Sequence, residues 1–459
     1  MKSIIITLLL IVGLTPQQSA APASQQKPPS ASAPKDFVLP PARRFTLANG
    51  LPVTMVPFGQ VPKATIRLVV TAGNVYEGKD EVWLADLTGN LMREGTTTQS
   101  ADVVAQAFAG MGGELGISVG PDTTSISTEV LSERAADAVR LLADVAQRPR
   151  LPESELERVK GNLLRNLAIQ KSSPQAVAQE RFSKLVYGEH PYGRLFPSES
   201  GLKGYTLEQV RAFQKDHYGA ARARLYVAGV FDGPALEAAI KQSFEEWTGA
   251  RASEGPAVPA SAGRQFAMID RADAPQSTLI LGLRVPTASH KDWVALEITD
   301  AILGGAFASR ITANIRELKG YAYSPFSTLE SHPGQASWYE TADVTTSATG
   351  ASLKEIYFEI DRLRREAPSA AELQGMKNNL AGLFIMQNAS RSGVISRLNF
   401  ADTHKLGPDY LSSYVKRLMA VTPEDVHRIA NEYLTPDKMS LVVVGDEKTV
   451  KSQVTQWAQ

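Results

Sequence analysis

The feature that most constrains this fold is a repetition. One break without hydrophobic periodicity, Thr248 to Gly263 (TGARASEGPAVPASAG), divides a chain of 459 residues, and the segments on either side of it end alike. Before the break, Phe213 to Tyr218 closes an amphipathic stretch. ARARLYVAGVFD then reads as a buried strand that turns at Gly and Asp, and a helical period runs from Gly233 to Trp247. After it, Ile429 to Tyr433, TPDKMSLVVVGDEK and a helical period to Trp457 repeat that order. The openings agree as well. Phe45–Ala48, an Asn49-Gly50 hairpin turn, Leu51–Pro57 and Ala64–Thr71 read as strands in one half, and Gln265–Ile269 and Ser277–Val285 in the other. Between the ends, helical periods occupy Asp80–Arg93, Ala101–Met111, Arg134–Gln147, Glu153–Gln170, Lys354–Glu366 and Ala371–Gln387. Strands at the ends with helices segregated between them predict an α+β layer built twice. The expected organisation is a first domain over 40–247, a linker over 248–263 and a second domain over 264–459.

The first residues read as an address. Lys2 precedes an apolar run from Ile4 to Leu14, Pro16 breaks it, and Gln18-Ser19-Ala20-Ala21 offers small residues for cleavage. That pattern is a secretory signal over 1–20, too short to span a bilayer of about 30 Å. A flexible leader rich in Ala, Ser, Pro and Gln follows over 21–39. The expected location is periplasmic or secreted, with no membrane span after cleavage.

Composition removes several chemistries. Lys+Arg and Asp+Glu are both 48, giving a net charge of +0, which argues against a nucleic-acid binder. With no cysteine there is no thiolate metal site, disulfide or Cys nucleophile. None of the six histidines lies within four residues of another, so no helix turns two imidazoles toward one metal. His190, in the loop GEHPYGR, reads as structural. There is no GxSxG elbow, phosphate loop or dinucleotide fingerprint. One helix is unusual: WLADLTGNLMREGT places Asp86, Gly89 and Asn90 on one face. A glycine inside a helix costs about 1 kcal/mol against alanine, and close packing is the expected compensation. Asp86 and Asn90 alone are too few for a cation site.

These motifs carry a resemblance. In order, G-x-x-x-E (Gly73 to Glu77), WLADLTGNLMREGT, MGGEL, ELERVKGNLLRN and YGEHPYG resemble the first half of pitrilysin/insulinase-type zinc peptidases. LGGAFASRITANIRELKGYAYSPFSTL (Leu303 to Leu329) is similar to the second half of the two-domain bacterial, mitochondrial-processing-peptidase-like branch. The resemblance spans nearly all of Pro40 to Trp457. It implies two duplicated domains, each a mainly antiparallel sheet with packed helices, forming half of a clam-shell chamber.

Catalytic relatives carry HxxEH, in which two His bind zinc and Glu activates water, plus a distal Glu ligand. The matching positions here are Asp86, Gly89, Asn90 and Asn166, so the resemblance implies a degenerate zinc site and no cofactor in this chain. The relatives' GGxLNA reads Gly112-Gly113-Glu114-Leu115-Gly116-Ile117 and lacks the Asn. The family's Arg/Tyr pair matches Arg316 and Tyr323, 323 − 316 = 7 residues apart. They are expected to flank a turn at Gly320, between a helix over Ser309–Glu317 and a strand over Tyr321–Leu329. In relatives that pair reaches the zinc half, Tyr donating to the oxyanion and Arg holding substrate backbone. The implied function is the zinc-free subunit of a heterodimeric exported metallopeptidase. It would act on a peptide substrate with a homologous HxxEH-bearing partner that brings the zinc. A non-catalytic scaffold or peptide-binding module of the same fold is the alternative, and solitary hydrolysis through Asp86 is the weakest reading.

Overall fold

The computed structural model describes Val38, residues 40–261 and residues 263–458; the signal and all but Val38 of the leader lie outside the described residues. Six strands form the first sheet: β1 (Arg43–Thr46), β2 (Pro52–Pro57), β3 (Lys63–Val70), β4 (Gly116–Val119), β5 (Thr124–Leu131) and β6 (Ala223–Gly229). Five form the second: β7 (Phe266–Asp270), β8 (Gln276–Val285), β9 (Phe326–His332), β10 (Gln335–Thr345) and β11 (Ser440–Gly445). Their orders are β1-β2-β6-β3-β5-β4 and β7-β11-β8-β10-β9. Apart from the added β1, the orders are superimposable. Each sheet also holds one parallel pair in the same place, β2 with β6 and β7 with β11, and is otherwise antiparallel. The duplication read from the chain ends is thus written in strand order and strand sense.

The central strands explain how the halves join. β11 (SLVVVG) and β6 (ARLYVAG) are buried almost throughout, the pattern of strands covered on both faces. Side chains alternate between faces, and the two faces of each strand meet different cores. In β11, Leu441 and Val443 point into the core of the second half. Val442 and Val444 meet Ala178, Phe182 and Leu185 of the helix Pro174–Tyr187, which comes from the first half. In β6, Leu225 and Val227 serve the first half's core, whereas Tyr226 and Ala228 belong with Val394, Ile395 and Leu398 of the helix Arg391–Thr403 from the second. Each half therefore lends one helix to the other's sheet. Polar contacts follow the exchange: Tyr226 donates its hydroxyl to Asp402 Oδ2 (2.8 Å), and Arg391 pairs with Glu129 (3.0 Å).

Helix bounds differ in detail from the sequence reading. The helix expected over Asp80–Arg93 is regular only over Leu84–Leu91, and that expected from Lys354 starts at Thr349. The stretch expected as a helix over Ser309–Glu317 widens into a π-type turn over Thr312–Leu318. The following strand starts at Phe326, not Tyr321, because residues 321–325 form a loop held by the lone bridge Ala322↔Val344.

Candidate functional site

The first candidate group lies on the helix Leu84–Leu91, whose start is set by Glu77. This buried carboxylate accepts from the backbone N–H of Trp83 (3.1 Å) and Ala85 (2.9 Å), satisfying donors that a helix leaves free at its N-terminus. It also holds Trp83 at φ +70°, a left-handed conformation uncommon outside glycine. Asn74 spans the site, donating one amide to both Glu77 Oε1 (3.0 Å) and Asp86 Oδ2 (2.7 Å). Burial pushes the Glu77 carboxyl up to about 8 and that of Asp86 up to about 6.

The four positions that the resemblance matches to the relatives' three zinc ligands and general base do not suit a zinc ion. Asp86 already accepts from Asn74, and Asn90 turns its amide nitrogen back to the Asp86 carbonyl (2.8 Å). Asn166, on the adjoining helix Glu153–Ser172, is exposed. Gly89 has no side chain, and a Cβ there would lie 2.7 Å from Val119 Cγ2 on β4. Catalytic zinc needs three protein ligands drawn from imidazole, carboxylate or thiolate, and one engaged carboxylate with two amides falls short. Among the described residues no group of three His, Cys, Asp or Glu is arranged to hold a metal. The Gly89 contact also supplies the packing expected to offset its helix cost. Gly89→Ala is expected to lower stability by about 1–3 kcal/mol through overpacking. Val119→Ala in the same chain should restore part of the loss, read by urea denaturation.

The segment Gly112–Ile117 leads into β4, the last strand of its sheet, and Arg93 from the end of the Asp86 helix donates to the Ile117 carbonyl on it. His190 is structural: Nδ1 accepts from Tyr192 N (3.2 Å) and Nε2 meets the Pro256 carbonyl (3.1 Å).

The second group is Arg316 and Tyr323. The guanidinium of Arg316 sits 5.0 Å from the Tyr323 ring centroid and 4.7 Å from that of Phe307. Two rings thus flank one cation, an arrangement worth about 0.5–1 kcal/mol per contact at exposed sites. Glu317 Oε1 forms an ion pair with Arg316, 3.0 Å from its Nε, without a hydrogen bond, so the N–H groups of the guanidinium are left for another acceptor. Tyr323 is 77 % and Phe307 73 % exposed, so both rings stand out from the surface. Phe307 went unnoticed in sequence, although it stands inside the Gly-rich segment. The two groups share no hydrogen bond or ring contact with each other.

Beneath the Arg316 segment lies a buried acidic pair. The glycines at 304 and 305 end a π-type turn over Ala301–Gly305, and a Cβ on them would fall 2.4 Å from Glu340 Oε2 and 2.3 Å from Asp300 Oδ2. These glycines therefore let the backbone close over two carboxyls. Asp300 accepts from Ser327 (2.5 Å) and Trp338 Nε1 (2.8 Å), while neither Glu340 oxygen has a partner among the described residues. Burial pushes Asp300 up to about 6 and Glu340 well above the carboxylate range.

A pH dependence follows. Glu77, Asp86, Glu297 (pushed by burial to about 7), Asp300 and Glu340 all bind a proton more tightly folded than unfolded. Stability therefore falls as pH rises from the ordinary carboxylate range through those raised values. Burial works against a charged His332, but its bonds to Asp122 and Glu330 hold it protonated up to about 9, so its contribution is also lost on raising pH. His217, lowered by burial to about 4, has the opposite sign, but only below its ordinary value of about 6.5. Tm is thus expected to decline from pH 6.5 to 9, with a shallower slope in Glu340→Gln, as read by scanning fluorimetry. A flat profile would contradict this.

Comparison with known proteins agrees with the architecture. Residues 59–196 match the family described as insulinase (peptidase family M16), and residues 204–380 match the one described as peptidase M16 inactive domain. An uncharacterized zinc protease of Mycobacterium tuberculosis is 26% identical over 402 residues, 86% of this chain and 91% of its own length. One from Bacillus subtilis is 25% identical over 406 residues, 86% and 96%. Among solved structures, a peptidase M16 inactive domain from Pseudomonas fluorescens superposes with a TM-score of 0.81 at 24% identity, covering 88% of this chain and 98% of that one. A protease from Helicobacter pylori does so with 0.83 at 21%, covering 89% and 100%.

Proposed function

Because this chain belongs to the insulinase (M16) family of peptidases, we propose that it is the zinc-free subunit of a heterodimeric, exported metallopeptidase. Its partner in this reading is a homologous subunit bearing HxxEH and the distal glutamate, and the metal belongs to that subunit. The two would close as halves of a chamber around an extended or unfolded peptide. The observation that carries the proposal is Arg316 held between Phe307 and Tyr323 on an exposed segment, in a chain whose own helix lacks metal ligands. Within the chamber the Tyr323 hydroxyl would donate to the oxyanion of the tetrahedral intermediate. Arg316, ion-paired with Glu317, would present its N–H groups to a substrate carbonyl.

The test is reconstitution. Elemental analysis and a peptide-hydrolysis assay on the isolated chain should find no stoichiometric zinc and no turnover. Adding the HxxEH partner should raise hydrolysis above that of the partner alone. If Arg316→Ala and Tyr323→Phe leave the complex at full turnover, the scaffold reading takes its place. Zinc with activity in the isolated chain would defeat both readings.

A further inference from the structure

A cavity of about 740 Å³ opens between the two halves, away from the Arg316 segment. Thr71, Tyr76, Arg222 and Arg224 of the first half line it, as do Arg284, Thr403 and Lys405 of the second, and linker residues Ala252–Val258 form a further wall. That volume suits a small ligand. In a chain of net charge +0, the charge here is lopsided. Among the described residues, none of Arg222, Arg224, Arg284 and Lys405 has a carboxylate partner, whereas other cations of this chain do. Two acids also line the cavity. Asp122 is already engaged, taking His332 Nδ1 and the Tyr192 hydroxyl at 2.6 Å each, and Glu254 is exposed on the linker. With Asp122 balanced by protonated His332, four cations face one carboxylate.

Arg222 makes the imbalance costly. It is 6 % exposed and, among the described residues, its guanidinium has the Thr71 carbonyl (2.8 Å from Nε) and the face of Tyr76 (4.2 Å) for company. A buried charge without a counter-ion is destabilising, and an anion seated beside it would relieve that cost. We infer that this cavity is a binding site for a small multivalent anion bearing phosphate or carboxylate groups, gripped from both halves and from the linker. Arg284, which also donates to the linker carbonyl of Pro259, ties that wall to the cationic cluster. Occupancy would therefore clamp the linker as well as the halves.

The experiment titrates the full chain with inorganic phosphate and, separately, with citrate by calorimetry in 150 mM chloride, with acetate as monovalent control. The expected result is saturable binding of at least one of the two, with a rise in Tm and none from acetate. Phosphate-only or citrate-only binding identifies which group the site takes. Arg224→Gln and Lys405→Gln should each weaken binding by about tenfold or more, the cost of losing one charge-assisted contact. Lys405 is exposed, so its variant keeps the fold and the test alive. Bound anion should also slow tryptic cleavage after Arg251, beside the linker wall. No saturable binding of either anion, or binding unchanged in both variants, would overturn the assignment.

Discussion

Tyr323→Phe, in the complex with an HxxEH partner, is expected to lower kcat by about 10²–10³-fold while leaving KM within a few-fold. The loss is that of one oxyanion donor, about 2.7–4 kcal/mol, because the hydroxyl would contact charge that develops only in the transition state. The ring remains in Phe, so the stack on Arg316, 5.0 Å from its centroid, is kept and the expected change is confined to the hydroxyl. Arg316→Ala should behave differently. It removes a substrate contact and also the cation between Phe307 and Tyr323, so KM is expected to rise along with a fall in kcat. Phe307→Leu is the companion variant. If Phe307 positions Arg316, its change should mimic a weaker Arg316→Ala, and Phe307→Tyr should restore turnover. Steady-state kinetics on a single peptide, each variant paired with unaltered partner, separate these outcomes.

Phe182→Ala is expected to cost about 3–5 kcal/mol, the range for truncating a fully buried aromatic. Phe182 lies on the exchanged helix Pro174–Tyr187, is 1 % exposed, and packs among Ile280, Val442 and Val444 with the Tyr339 ring 5.5 Å away. Every one of those neighbours belongs to the other half, so the cavity opens at the junction between halves and not inside either. Denaturation should therefore change shape as well as midpoint, from one transition toward two, as the halves lose their mutual support. Leu398→Ala, on the reciprocal helix Arg391–Thr403, should do the same at about 2–5 kcal/mol. A single cooperative transition with an unchanged slope in both variants would show that the exchanged helices do not couple the halves.

The parts of the fold legible in sequence were those with continuous apolar runs. RLYVAG and LVVVG marked the central strands, and their shared Gly-Asp ends revealed the duplication. Strands β4, β5 and β10 stayed hidden because they alternate Ile, Val or Trp with Ser, Thr and Glu, as in TSISTEVL, and resemble polar loop when read residue by residue. The exchanged helices were also missed. An amphipathic period says that a face is buried, not which sheet buries it, and Val442 and Phe182 are too far apart in sequence for any local pattern to link them. At the site, Gly89 and Asn90 told of missing ligands directly through their side-chain chemistry. The exposure of Tyr323 did not emerge, since a Tyr-x-Tyr stretch before Pro325 reads equally as strand, and the widened turn over Thr312–Leu318 has no sequence signature. The acidic pair Asp300 and Glu340 lay beyond reach for the same reason, two elements meeting only in three dimensions.

The exchange of helices has a consequence for biosynthesis. When Phe182 leaves the ribosome, part of its resting place is Val442, still 442 − 182 = 260 residues from being made. Until the C-terminal strand arrives, the nascent first half must carry an uncovered greasy helix, a natural handle for a holdase. A message truncated before Ser440 would thus yield a chain doomed in both halves, not a trimmed but serviceable lobe.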